Sequence, residues 1–201
     1  MQIKSHPMGP YQTNCYVVTV DDKDLIIDPG QNAANWILAN VKNPIAILNT
    51  HGHFDHVWSN AELKKQLKLP LYCPDEDAFM LEDDPFGHGT PSSHPDYRIK
   101  GDEQLEIGGI KVQYRHFPGH TPGNSIIEIE DHWFSGDFLF HQSIGRWDFP
   151  YSSGTDMVRS LQKALQIKEE FVVHPGHGSD TTLSAEQKIM HFWIEQVKQT
   201  L

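Results

Sequence analysis

The apolar positions along the chain fall in short runs broken by polar turns, a spacing that predicts many brief strands with a few helices between them. Residues 14–20, Asn-Cys-Tyr-Val-Val-Thr-Val, are β-branched and aromatic; past the polar turn Asp21-Asp22-Lys23-Asp24, the run Leu25-Ile26-Ile27 closes on Asp28-Pro29-Gly30, and together these predict a hairpin. Residues 32–41 put Ala33, Trp36, Ile37 and Val41 at helical spacing behind an Asn cap, and Pro44 restarts the chain into a buried strand, Ile45-Ala46-Ile47-Leu48. Ser59 and Glu62 have the spacing of a capping box for a short helix carrying Leu63 and Leu67, with a strand over 69–73 after it. From Met80 to Lys100 the chain is polar, irregular and rich in Pro and Gly, as expected of a surface loop at the mouth of a site.

The second half repeats the alternation. Residues 104–107, a Gly108-Gly109 turn and a period-two stretch over 110–116 predict a hairpin, and two more strands follow at 125–130 and 132–135. Met157, Val158, Leu161 and Leu165 define an amphipathic helix over 156–167, Phe171-Val172-Val173 is a short buried strand, and the chain ends on a helix capped by Ser184 and Gln187 with Ile189, Phe192, Trp193 and Val197 on its apolar face. Strands with helices recur once before and once after residue 100, which suits an α/β (α+β) domain spanning 1–201 in which two sheets pack face to face with helices outside.

Composition narrows the function. A formal charge of −11 disfavours nucleic acid, because that affinity comes mainly from Lys and Arg neutralising phosphates, and points to a small-molecule substrate. No stretch approaches the ~20 apolar residues of a membrane span, so no membrane partner is expected. Cys15 and Cys73 are isolated thiols without metal-site spacing, inert and consistent with the reducing cytoplasm.

The candidate chemistry sits at the strand ends. The strand at 45–48 runs into His51-Gly52-His53-Phe54-Asp55-His56, four potential ligands within six residues. Asp28-Pro29-Gly30, Pro118-Gly119-His120-Thr121-Pro122-Gly123, Ser135-Gly136-Asp137 and Pro175-Gly176-His177-Gly178 occupy equivalent positions. If these loops converge, His51, His53, Asp55, His56, His120, Asp137 and His177 come together. Imidazole and carboxylate without thiolate suit zinc, iron or manganese, and seven ligands exceed what one tetrahedral ion takes, so two divalent ions sharing a carboxylate are expected. Glycine beside His120 and His177 lets backbone approach closely. The reaction class is metal-assisted hydrolysis.

In this order the motifs resemble those of the metallo-β-lactamase superfamily, and the Thr-His-x-His-x-Asp-His and Pro-Gly-His-Thr-Pro-Gly forms are most similar to its glyoxalase II (hydroxyacylglutathione hydrolase) branch, in the short bacterial type. The resemblance covers roughly residues 14–180. It implies a four-layer αββα sandwich with mixed sheets, one metal on His51, His53 and His120, a second on Asp55, His56 and His177, and Asp137 as the bridge. Zinc is the first expectation, with iron or manganese also accepted. It further implies attack of a metal-bridging hydroxide on a thioester of the S-(2-hydroxyacyl)glutathione type, with Asp55 orienting the nucleophile, Asp28 orienting the ligands from behind and Arg146 holding a substrate carboxylate. A mononuclear iron enzyme resembling persulfide dioxygenase, with His51, His120 and Asp137 as its triad, is the alternative on the same scaffold.

Overall fold

The computed structural model describes residues 1–201. Its first half forms a mixed six-stranded sheet in sequence order: β1 (Gln2–Met8), β2 (Thr13–Val20), β3 (Lys23–Ile27), β4 (Pro44–Leu48), β5 (Leu71–Pro74) and β6 (Tyr97–Ile99). β1, β2 and β3 pair antiparallel, and β3 to β6 run parallel, linked by α1 (Ala33–Asn40), α2 (Phe54–Val57), α3 (Asn60–Leu67) and α4 (Ala78–Asp83).

The second half builds the facing sheet from β7 (Glu103–Ile107), β8 (Ile110–His116), β9 (Ser125–Ile129) and β10 (His132–Gly136), antiparallel throughout. A ribbon of β11 (Leu139–Phe140) and β12 (Ser143–Ile144) follows, and then α5 (Gly154–Leu165). β13 (Val172–Pro175) lies parallel to β10, β14 (Thr181–Thr182) closes the edge, and α6 (Leu183–Lys198) ends the fold.

Strand alternation creates the four layers. Leu25, Ile27, Ala46 and Leu48 point between the sheets, where they meet Val112, Tyr114, Ile127 and Phe134. Their neighbours Ile26 and Ile47 point the other way and pack with Ile37, Leu63 and Met80 from the helices. On the far side Phe117, Ile126, Trp133 and Val173 pack with Met157, Leu161, Met190 and Ile194. Both sheets are thus covered on both faces, which is why Leu25–Ile27 of β3 and the whole of β4 are continuously apolar. No helix is long and apolar enough to cross a membrane.

Several local expectations are corrected. β1 has no apolar alternation that marks it, and it forms by pairing along the whole length of β2. Asn32 precedes α1 in the left-handed conformation (φ 67°) and its side chain does not cap. Ser59 makes no capping bond to α3 either; its hydroxyl donates to the Gly30 carbonyl at 2.7 Å and pins the helix to the Asp28 loop. Within 80–100, Leu81 remains helical and Tyr97–Ile99 pairs with β5, so only the middle is irregular. Ser153 caps α5, which starts and ends two residues earlier than the 156–167 expected from its apolar positions. Thr182, not Ser184, caps α6, and its buried face is Met190, Ile194 and Val197 while Phe192 is 57% exposed.

Candidate metal centre

β3, β4, β8, β10 and β13 end at the same edge of the sandwich, and the loops leaving them carry the histidines and aspartates. Asp28, buried and held at φ 48°, organises the first of these loops. Its carboxylate accepts from Thr50 N (2.8 Å) and Thr50 Oγ1 (2.6 Å), and lies 2.9 Å from His56 Nδ1. Because the Thr50 hydroxyl spends its proton on Asp28, its oxygen can only accept from His51 Nδ1, 3.0 Å away. His120 Nδ1 lies 2.8 Å from the Arg146 carbonyl, and His177 Nδ1 lies 3.1 Å from the Tyr11 carbonyl.

These outer bonds assign one tautomer to four rings. Each donates from Nδ1 to a fixed oxygen, so the bare Nε2 of His51, His56, His120 and His177 faces inward. His53 turns Nδ1 toward the same space, 2.8 Å from His120 Nε2. Asp55 Oδ2 accepts from Thr13 Oγ1 at 2.6 Å and lies 3.4 Å from His177 Nε2. Asp137 follows Gly136, whose φ is 50°, and faces both sides of the cluster: Oδ1 is 3.3 Å from His56 Nε2, and Oδ2 is 3.3 Å from His120 Nε2 and 3.5 Å from His177 Nε2.

Three groups of three bring their ligand atoms within 4.8 Å of one another: the trios His51–His53–His120 and Asp55–His56–His177, and behind them Asp28–His51–His56, in which the Asp28 carboxylate is already engaged by Thr50 and by His56 Nδ1. Asp137 stands between the two trios. His51 Nε2, His56 Nε2 and Asp137 Oδ1 are buried without any hydrogen-bond partner, a cost a native fold does not carry unless something else satisfies them. Nitrogen and carboxylate donors facing one another without protons to share fit cations.

The electrostatics of the two trios differ. Burial, reinforced by neighbouring imidazoles, drives His51 well below its usual range, His53 to about 3, and His120 down, so these rings are neutral ligands. In the other trio burial opposes charge but loses. Asp55, Asp137 and Asp28 hold His56 well up, and bonds to Asp137 and Asp55 hold His177 at about 9. The same pairing lowers Asp55 to about 2 against burial. The carboxylates that favour a proton on these two rings would equally favour a cation on their bare Nε2 in its place.

Close approach explains one glycine directly. A Cβ on Gly176 would overlap Asp137 Oδ1 and sit 2.7 Å from His56 Cε1. At Gly119 the reason is different from the expected one: its φ is 144° and a Cβ would strike Met157 of α5, 2.6 Å from its Cα, rather than the centre.

Above the trios opens a cavity of about 380 Å³, floored by His53, Asp55, His120, Asp137 and His177 and walled by Tyr11, Phe54, Phe86, His88, Phe149 and Pro150. His88 lies against Phe54, the rings tilted by 33° with centroids 3.9 Å apart. These wall residues, and Thr13 beneath Asp55, escape sequence reasoning; the irregular composition of 80–100 is the one signal that points to Phe86 and His88. The Arg146 side chain is exposed, forked onto Asp148 by two 2.8 Å bonds and lying 4.3 Å over the Phe149 ring. It stands at the rim, and its carbonyl rather than its guanidinium reaches the cluster.

A sandwich of this topology with two trios of buried donors at one edge defines a metallo-hydrolase with a dinuclear-type site. The chain belongs to the metallo-beta-lactamase superfamily, whose family profile matches residues 8–177. It is 34% identical to the hydroxyacylglutathione hydrolase GloC of Haemophilus influenzae, covering 94% of this chain and 96% of that protein. Among solved structures it is similar to the BLEG-1 B3 metallo-beta-lactamase (TM-score 0.86, 33% identity, 95% of this chain and 99% of that one). It is also similar to TTHA1623, solved in a di-iron-bound form (TM-score 0.80, 34% identity, 91% and 96% covered).

Proposed function

We propose that this chain hydrolyses a thioester of the S-(2-hydroxyacyl)glutathione type. The observation that carries the reading is the pair of donor trios on the floor of an aromatic-walled cavity large enough for a small thioester. Likeness to GloC over nearly the full length supports the substrate class. His51, His53 and His120 would hold one ion, Asp55, His56 and His177 the other, and Asp137 would serve both. Zinc suits this nitrogen-rich set, and iron or manganese is compatible with it. When bound, the ions supply Lewis acidity and make water nucleophilic near neutral pH.

The chain's own groups do the rest. Asp55, its other bond taken by Thr13, is placed to orient the attacking water and accept its proton. Attack forms a C–O bond at the acyl carbon, and the C–S bond breaks to release the thiolate, which needs no strong acid to leave. Phe54, Phe86 and Phe149 exclude bulk water around the acyl group. Arg146, exchanging Asp148 for a substrate carboxylate, would hold the glutathione end at the rim.

The test is hydrolysis of S-lactoylglutathione by protein of known metal content, with a chromogenic β-lactam assayed in parallel. Two metals per chain and chelator-sensitive thioester cleavage are expected. Full activity in metal-free protein, or a β-lactam cleaved faster than the thioester, overturns the proposal; one iron per chain with oxygen uptake on glutathione persulfide favours the mononuclear alternative.

A further inference from the structure

Asp77 is hydrogen-bonded to none of the seven proposed ligands, yet both loops that carry the first trio close on it. It ends a short 3-10 turn after β5 and is fully buried. Its Oδ2 accepts from Gly52 N at 3.0 Å and Thr121 Oγ1 at 2.6 Å, and its Oδ1 accepts from Gly123 N at 2.6 Å. Gly52 separates His51 from His53, and Thr121 follows His120. One carboxylate therefore ties the segment holding two ligands of the trio to the segment holding the third.

The ordinary roles of such a residue do not apply. Asp77 precedes α4 but makes no side-chain capping bond to it, and no cation is among the groups that set its ionisation. Burial, with the charge of Glu76 added, pushes its carboxyl up to about 6 against the pull of its three donors, and all three bonds use it as an acceptor. The glycines of both motifs are shaped to it: a Cβ on Gly52 would lie 2.7 Å from the Asp77 carbonyl oxygen, and one on Gly123 would lie 2.8 Å from the Asp77 carboxyl carbon. Asp55, His56 and His177 have other anchors, Thr13, Asp28 and the Tyr11 carbonyl.

We propose that Asp77 is a positioning residue that sets the spacing of His51 and His53 against His120, and so governs metal affinity in that half of the centre alone. This rests on the reading that the two trios hold metal. An amide at this position has one acceptor oxygen for donors on both sides, so Asp77→Asn leaves at least one backbone N–H facing an NH₂. Thr121→Val removes a single bond and leaves Asp77 in place.

The experiment is zinc uptake per chain against a chelator-buffered zinc series, read by elemental analysis, with thermal unfolding of each metal-free variant alongside. Wild-type protein is expected to take up two ions. Asp77→Asn should weaken one uptake event 10- to 100-fold, on the order of losses seen when groups behind metal ligands are removed. The other event should be unchanged, and Thr121→Val should shift the same event by less. Thr13→Val, which strips the bond from Asp55, should weaken the opposite event, so combining it with Asp77→Asn weakens both. Unchanged uptake in both Asp77→Asn and Thr121→Val overturns the assignment, as does equal weakening of both events with a fall in melting temperature, the mark of a purely structural role. If Asp77→Asn does not fold, Thr121→Val carries the test alone. Wild-type protein that never takes up two ions refutes the centre itself, and the role of Asp77 with it.

Discussion

Replacing Gly176 by Ala adds one methyl group at the point where the two trios meet. Gly176 does not occupy the left-handed region, so alanine can adopt its backbone conformation and the methyl alone is responsible for the effect. That methyl would overlap Asp137 Oδ1 and lie 2.7 Å from His56 Cε1 and 3.1 Å from the Gly136 carbonyl carbon. Carbon atoms pack at about 3.5–4.0 Å, so the His56 ring must retreat by roughly 1 Å while Asp137 swings aside. Overpacking of this size costs the fold about 1–3 kcal/mol, which a domain survives. Ligand distances in a metal site, in contrast, hold to about ±0.2 Å, and a displacement of about 1 Å costs catalysis on the order of 100-fold. The expected result is a folded protein with a modestly lowered melting temperature, fewer than two metals by elemental analysis and turnover down about 100-fold. Gly178→Ala is the comparator. Its φ is +80° with nothing within 4 Å of the added methyl, so it costs about 1–2 kcal/mol of backbone strain and leaves metal content alone. Gly176→Ala holding two metals at wild-type affinity with unchanged turnover would refute the reasoning.

Two further outcomes are expected. In metal-free protein His177 titrates at about 9, above the 6.5 of an ordinary histidine, so its stabilising pairing with Asp137 and Asp55 is complete below about pH 6.5 and lost as pH rises to about 9. The melting temperature of metal-free protein should fall across that window, and His177→Gln should flatten the slope; a slope unchanged in the variant would exclude His177 as its origin. The α6 register is tested by thermal unfolding of Met190→Ala, which removes a fully buried side chain and should cost about 2–5 kcal/mol, against Phe192→Ala, which should stay within about 0.5 kcal/mol.

Hydrophobic alternation carries most of the architecture, because β3, β4 and β8 are buried by partners whose apolar runs are equally plain. β1 is invisible to that criterion: four of its seven residues are exposed and its stability comes from backbone pairing with β2. Capping is also misread locally. Ser59 and Asn32 have suitable side chains, but tertiary contacts take one and a left-handed turn takes the other. The ligand loops are legible because metal chemistry confines itself to few residue types at tight spacing. Thr13, Asp77 and the aromatic wall have no such signature, since their roles depend on what lies opposite them across the sandwich. Phe192 shows the reverse error: a large apolar side chain at helical spacing that the fold leaves outside.

Each trio draws from both halves of the chain. His51 and His53 belong to the first sheet's loops and His120 to the second's, and Asp55 and His56 likewise meet His177. Apart from the packing of the sheets, the halves are joined at this edge by bonds such as Asn14 N to the Gly176 carbonyl (2.7 Å), Tyr16 OH to the Pro175 carbonyl (2.6 Å) and Ser125 N to the Thr50 carbonyl (2.9 Å). Metal at this edge would act as a cross-link of long loop, closing segments more than sixty residues apart in sequence and unable to form before both sheets have docked. Hydrogen exchange in the loops after β4 and β13 should therefore speed up together on chelation, as if a single clasp had been opened.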